Sequence, residues 1–123
     1  MRRRLLALSV VLAAAAALTA TALAQHAATP KLVGTVGPGY TINLTAGGKK
    51  VSRLKAGTYT VVIHDKASIH AWSLDGPNGF AKDLTKVPFT GTKTVTLKLK
   101  AGKYKYYCPP HESIMFGHFT VVA

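Results

Sequence analysis

From Thr92 to Lys100 apolar and polar positions alternate: Val95, Leu97 and Leu99 are separated by Thr94, Thr96 and Lys98. That is the period of a strand with one buried face. Tyr59, Val61 and Ile63 alternate with Thr60 and Val62 in the same way, and Phe119 and Val121 alternate within residues 116–122. If Tyr104, Tyr106 and Cys108 point inward, then Lys103, Lys105 and Tyr107 point outward. No stretch of the folded region carries a convincing helical period. Turn residues recur between the strand-like runs, at Gly37-Pro38-Gly39, Gly47-Gly48, Ala56-Gly57, Gly76-Pro77-Asn78-Gly79, Gly91 and Ala101-Gly102. Strands at this spacing predict an all-β antiparallel sandwich or barrel. Residues 74–91 lack strong alternation and contain Pro77, Gly79 and Pro88, so a connecting loop is expected there. Leu54-Lys55-Ala56-Gly57-Thr58-Tyr59 and Leu99-Lys100-Ala101-Gly102-Lys103-Tyr104 are near copies, read as two similar turns feeding two similar strands.

The first two dozen residues break this pattern. Arg2, Arg3 and Arg4 precede an apolar run from Leu5 to Leu18, and Ala22-Leu23-Ala24 offers small residues for cleavage. Together these read as a secretory signal over residues 1–24, removed to leave Gln25 first, so that no stable membrane insertion follows. The arginines fit either general secretion or twin-arginine export. Residues 25–30 are expected to be a flexible leader, and residues 31–123 are enough for one domain with a modest core.

Export changes how the charge is read. The whole chain carries 16 Lys and Arg against 4 Asp and Glu, a net +12. The signal holds three of the basic residues and none of the acidic ones, so the remainder stays strongly basic. Nucleic acid is excluded as a partner on two grounds: the chain is exported, and its lysines fall singly on alternating strand positions. The charge then serves solubility, attraction to an anionic surface, or an acidic protein partner.

The single cysteine, Cys108, has no internal disulfide partner in an oxidising compartment. It opens the run Cys108-Pro109-Pro110-His111-Glu112-Ser113-Ile114-Met115, which puts a thiolate, an imidazole and a thioether in one loop between two strands. A blue-copper site takes two His, one Cys and a long axial Met, so a second imidazole is needed from elsewhere. His70, at the head of Ile69-His70-Ala71-Trp72-Ser73-Leu74, is the candidate. His26, His64 and His118 are read as surface residues, and Trp72 as sandwich core. Structural zinc rarely takes Met, and a Cys108–His111 nucleophile pair would lack an orienting carboxamide or carboxylate, so neither a zinc site nor an enzyme is the reading.

The run from Gly102 to His111, then Met115-Phe116-Gly117 and a final Val-rich strand, resembles the C-terminus of plastocyanin-like cupredoxins, and Asp65 to Leu74 is similar to that family's first ligand segment. The resemblance implies a Greek-key β-sandwich holding one type 1 copper through His70, Cys108, His111 and Met115, and shuttling single electrons between redox partners in the periplasm or outside the cell. It also implies a monomer whose His111 surfaces within a rim of Pro38, Pro109, Pro110, Ile114 and Phe116. In plant plastocyanins an exposed Tyr at the place of Tyr107 is flanked by acidic patches; here the flanking residues are lysines, so an acidic partner, a cytochrome or an oxidase, is expected. Copper buffering or delivery is the alternative use of the same ligands. The chain departs from the family at two points. Three residues, Glu112, Ser113 and Ile114, separate His111 from Met115, against four in plastocyanin and two in amicyanin, and Ala71 stands where many members carry an Asn that ties the ligand segments together. The Ala71 amide can still reach the Cys108 sulfur whereas Pro110 has no N–H to give, so one backbone hydrogen bond to that sulfur is expected.

Overall fold

The computed structural model describes residues 28–123. The expected signal and the first half of the leader, with His26, lie outside the described residues. Ten strands form two five-stranded sheets. In the first, order β3-β2-β1-β5-β8, are β1 (Lys31–Val36), β2 (Ile42–Ala46), β3 (Lys49–Lys50), β5 (Gly57–Asp65) and β8 (Gly91–Leu99). The second, order β4-β10-β9-β6-β7, holds β4 (Arg53–Lys55), β6 (Ser73–Asp75), β7 (Ala81–Asp83), β9 (Gly102–Tyr107) and β10 (Phe116–Val122). This is the Greek-key sandwich expected for a cupredoxin.

Two departures from the expected pattern have physical causes. The sheets are not wholly antiparallel: β1 runs parallel to β5, and β4 parallel to β10. The chain leaves the first sheet after β3, makes β4 in the second and returns as β5, and such a crossover sets strand direction without any local signal. The expected loop over residues 74–91 contains a hairpin, because β6 and β7 pair around a single 3-10 turn at Pro77–Gly79. Each of these strands has three residues, too few for alternation to show.

The inward faces meet as the alternation requires. Val61, Ile63, Leu97 and Leu99 from one sheet pack against Leu74, Tyr104, Tyr106, Phe119 and Val121 from the other. Trp72 is fully buried and stacked on Tyr106, with centroids 5.5 Å apart and planes 6° from parallel. Tyr104 stacks on Phe119 at 5.1 Å. Gly117 is part of this packing: a Cβ there would collide with the Tyr106 ring.

Strand direction fixes the two ends of the sandwich. Val36, Asp65 and Gly91 align at one end, and the 37–41, 66–72, 84–90 and 108–115 connections meet there. At the other end lie Leu99 paired with Gly57, Val121 paired with Gly102 and Val122 paired with Lys55.

Candidate metal centre

His70 reaches the first end through a turn that Asp65 organises. The buried Asp65 carboxylate accepts from the Ala67 N–H at 3.3 Å, and the His70 N–H returns to the Ala67 carbonyl at 3.1 Å. Beyond His70, the Trp72 N–H donates to Thr85 Oγ1 at 2.9 Å, and the Leu84 and Thr85 amides donate to the Trp72 carbonyl. The segment is held on both sides, and the His70 ring is fully buried.

The loop between β9 and β10 folds on itself. Pro109 and Pro110 open a single 3-10 turn, where a missing N–H costs nothing and the fixed φ is already suitable. The His111 N–H donates to the Cys108 carbonyl at 2.9 Å, the Met115 N–H to the His111 carbonyl at 2.9 Å, and the Cys108 N–H to the Met115 carbonyl at 3.0 Å. Cys108 and Met115 are thereby buried side by side in the chain's return, while His111 stays partly exposed.

Three donor atoms converge. His70 Nδ1 lies 3.2 Å from His111 Nδ1, and Cys108 Sγ lies 3.8 Å from the first and 3.7 Å from the second. A point equidistant from all three is about 2.1 Å from each, the length of a bond from nitrogen to a first-row metal ion and slightly short of one from sulfur. One thiolate and two imidazoles are a soft-to-intermediate donor set suited to copper. His70 Nε2 is buried with no partner among the described residues, so the ring gains nothing from its surroundings beyond what its Nδ1 edge holds.

The copper-binding protein model for the plastocyanin/azurin family matches residues 40–122. The chain belongs to that family. Among solved structures, a rusticyanin variant matches at 25% identity with TM-score 0.53, over 78% of this chain and 79% of that one. The rusticyanin of Thiobacillus ferrooxidans matches at 23% identity and TM-score 0.53, over 78% and 79%. A second rusticyanin variant matches at 23% identity and TM-score 0.55, covering 78% of each chain. No curated protein sequence matches.

Within this cupredoxin the Ala71 N–H donates to Cys108 Sγ at 3.3 Å. It is the one backbone donor to that sulfur among the described residues, as the proline at 110 requires. Pro38, Pro109, Pro110, Ile114 and Phe116 are all exposed near the His111 edge. Trp72 lies in the core as expected; His118 is exposed, and His64 is half-buried, with Nδ1 3.1 Å from Thr92 Oγ1.

Sequence reasoning missed Tyr40. Its ring, 58% exposed, stands edge-on to His70 at 5.2 Å and to His111 at 5.0 Å, and so roofs both imidazoles. The signal available was an aromatic residue directly after Gly37-Pro38-Gly39, a turn at the same end of the sandwich. The surroundings of Tyr107 were also hidden. Its hydroxyl donates to Asp75 Oδ1 at 3.3 Å, and Lys105 pairs with Glu112 at 2.8 Å, which leaves its cation compensated. Burial, then the Asp75 carboxylate, with smaller contributions from Glu112 and Asp83, pushes the Tyr107 phenol above its ordinary value. Carboxylates from three separate elements temper the lysine-flanked face that strand alternation implies.

Proposed function

We propose that this protein is an exported type 1 copper electron carrier, in which His70, Cys108, His111 and Met115 would hold the copper. The observation that carries the reading is the convergence of the two Nδ1 atoms and Sγ within 3.8 Å of one another. Bound there, copper supplies a one-electron couple between Cu(I) and Cu(II).

The chain's own part is to keep the donors in place whichever oxidation state is present. Cys108 directly follows β9, its amide and carbonyl are bonded inside the loop, and its sulfur accepts from Ala71. His70 is fixed by the Asp65 turn. Small reorganisation favours fast exchange. His111 reaches solvent through an apolar rim to which Tyr40 and Ile114 contribute the most exposed surface, suited to a brief, small interface. Lys66 and Lys86 border this end as exposed cations, so the partner is an acidic redox protein, a cytochrome or oxidase, docking at the His111 edge rather than at Tyr107. With four residues holding it, copper would have no open position for a substrate, which supports a carrier and not an enzyme as the reading.

The test is to add one equivalent of Cu(II) to metal-free protein and record the visible spectrum. The expected result is an intense blue band, bleached by ascorbate, restored by oxidation and lacking in Cys108→Ala. A colourless protein that retains Cu(I) would overturn electron transfer in favour of copper buffering or delivery.

A further inference from the structure

The near-identical turns of the sequence have the same structure and stand at the same end of the sandwich. In one, the Tyr59 hydroxyl donates to the Lys55 carbonyl at 2.6 Å; in the other, the Tyr104 hydroxyl donates to the Lys100 carbonyl at 2.9 Å. Gly57 and Gly102 take matching positive φ values of 156° and 150°, where other residues are strained. Each buried tyrosine therefore pins a turn through its main chain and leaves the lysine side chain in solvent.

These lysines belong to a larger segregation of charge. Lys55, Lys98, Lys100, Lys103, Arg53 and Lys31 are exposed on the half of the sandwich remote from the metal centre. The four carboxylate side chains lie elsewhere: Asp65 at the strand ends by the metal centre, Glu112 in the ligand loop, and Asp75 and Asp83 paired across from Lys105 and Ser73. The one ion pair among the described residues, Lys105–Glu112, is also outside this pole. A cleft of about 230 Å³ opens here, floored by Pro77, Phe80 and Tyr104 and flanked by Lys98 and Lys100.

We infer that this pole docks on an anionic membrane surface, its lysines meeting phospholipid headgroups and its cleft receiving a headgroup phosphate with the adjoining glycerol. Two observations favour a membrane over an acidic protein. The large exposed apolar residues, Tyr40, Ile69, Val87, Phe89, Ile114 and Phe116, all lie at the opposite end, so the pole lacks the aromatic anchors on which protein interfaces depend. With Lys49 and Lys50 of β3, its cations are seven lysines and one arginine spread over strands and turns, which match a diffuse negative surface better than a fixed carboxylate geometry. The chain also enters the domain from this half, where the Pro30 carbonyl accepts from the Thr60 N–H. Docked so, the molecule turns its metal centre toward the aqueous side.

The experiment is sedimentation of the copper-loaded protein, as recovered from an expressing cell, with vesicles of phosphatidylcholine or of equimolar phosphatidylcholine and phosphatidylglycerol. Binding should require phosphatidylglycerol and weaken as salt rises. Lys55→Gln, Lys100→Gln and Lys103→Gln combined should lower partitioning about a hundredfold, since each lysine near such a surface contributes about a factor of five. The tyrosine bonds use main-chain carbonyls, so circular dichroism and the metal-site spectrum should not move. Lys66→Gln, Lys86→Gln and Lys93→Gln combined, at the other end, should retain binding within about threefold. Equal losses in both triple variants would show that total charge is responsible and overturn the inference. So would no binding to either vesicle, including the case where an acidic protein matrix retains the chain.

Discussion

The imidazoles of His70 and His111 face one another through Nδ1 atoms 3.2 Å apart, with ring planes 80° from parallel. Two such nitrogens approach this closely either around a shared cation or by donation of a proton from one to the other. His70 is fully buried and its Nε2 lacks a partner among the described residues, so without metal the ring is a burden on the fold. His70→Leu should abolish copper binding yet make the metal-free protein more stable by about 1 kcal/mol, because an unpaired buried polar atom is removed. Thermal unfolding of the metal-free variant should show a midpoint about 5 °C higher. A lower midpoint would mean that His70 has an apo-state partner.

Copper loading should reverse that ordering. Ligand bound to the native state alone adds about 2.7 kcal/mol when free ligand stands at about one hundred times its dissociation constant. The parent chain should therefore gain a large increase in midpoint with copper and lose it on chelation, while Cys108→Ala gains little. Calorimetry with and without chelator decides.

Gly117→Ala tests the packing behind the site. The new Cβ would enter the space of the Tyr106 ring, and Tyr106 is stacked on Trp72, two residues from His70. Overpacking of this kind costs about 1–3 kcal/mol. The denaturant midpoint should fall accordingly, and the visible spectrum of the loaded protein should shift, because the displacement is passed to the His70 segment.

Tyr104 gives a pH dependence with a definite sign. Burial raises its phenol above the ordinary value of 10.0, and the hydrogen bond to Lys100 offsets this in part. At pH above about 10 the native state holds this proton while the unfolded chain releases it, so stability is full below that pH and declines as pH rises beyond it. Tyr104→Phe should be less stable at neutral pH by about 1 kcal/mol, through loss of the hydroxyl bond, yet show a shallower alkaline decline. Urea denaturation between neutrality and strong alkali measures both.

Much of this was legible in residue order. The faces of β5 and β8 follow from alternation, and the thiolate and imidazoles that meet were identifiable from type and spacing. The parallel pairings were not, because the direction of β5 beside β1 is set by a crossover through the other sheet. Tyr40 was missed for a similar reason: its contact with both imidazoles joins three connections that only the fold brings together. The carboxylates around Tyr107 come from β6, β7 and the ligand loop. Charge polarity was equally hidden, since acidic residues are interspersed with lysines along the sequence and only the fold gathers one group of lysines at a pole without carboxylate side chains.

The twin tyrosine turns anchor the lysine backbones while leaving the lysine heads free, so the molecule has a built-in handle for immobilisation. On a carboxylate-coated electrode it would seat by that handle and hold its His111 edge on the order of 20 Å from the conductor, the length of β10. On a methyl-terminated coating the Tyr40 and Ile114 rim would seat instead and bring the same edge against the surface. The coating alone would then select slow or fast voltammetry from one unmodified protein.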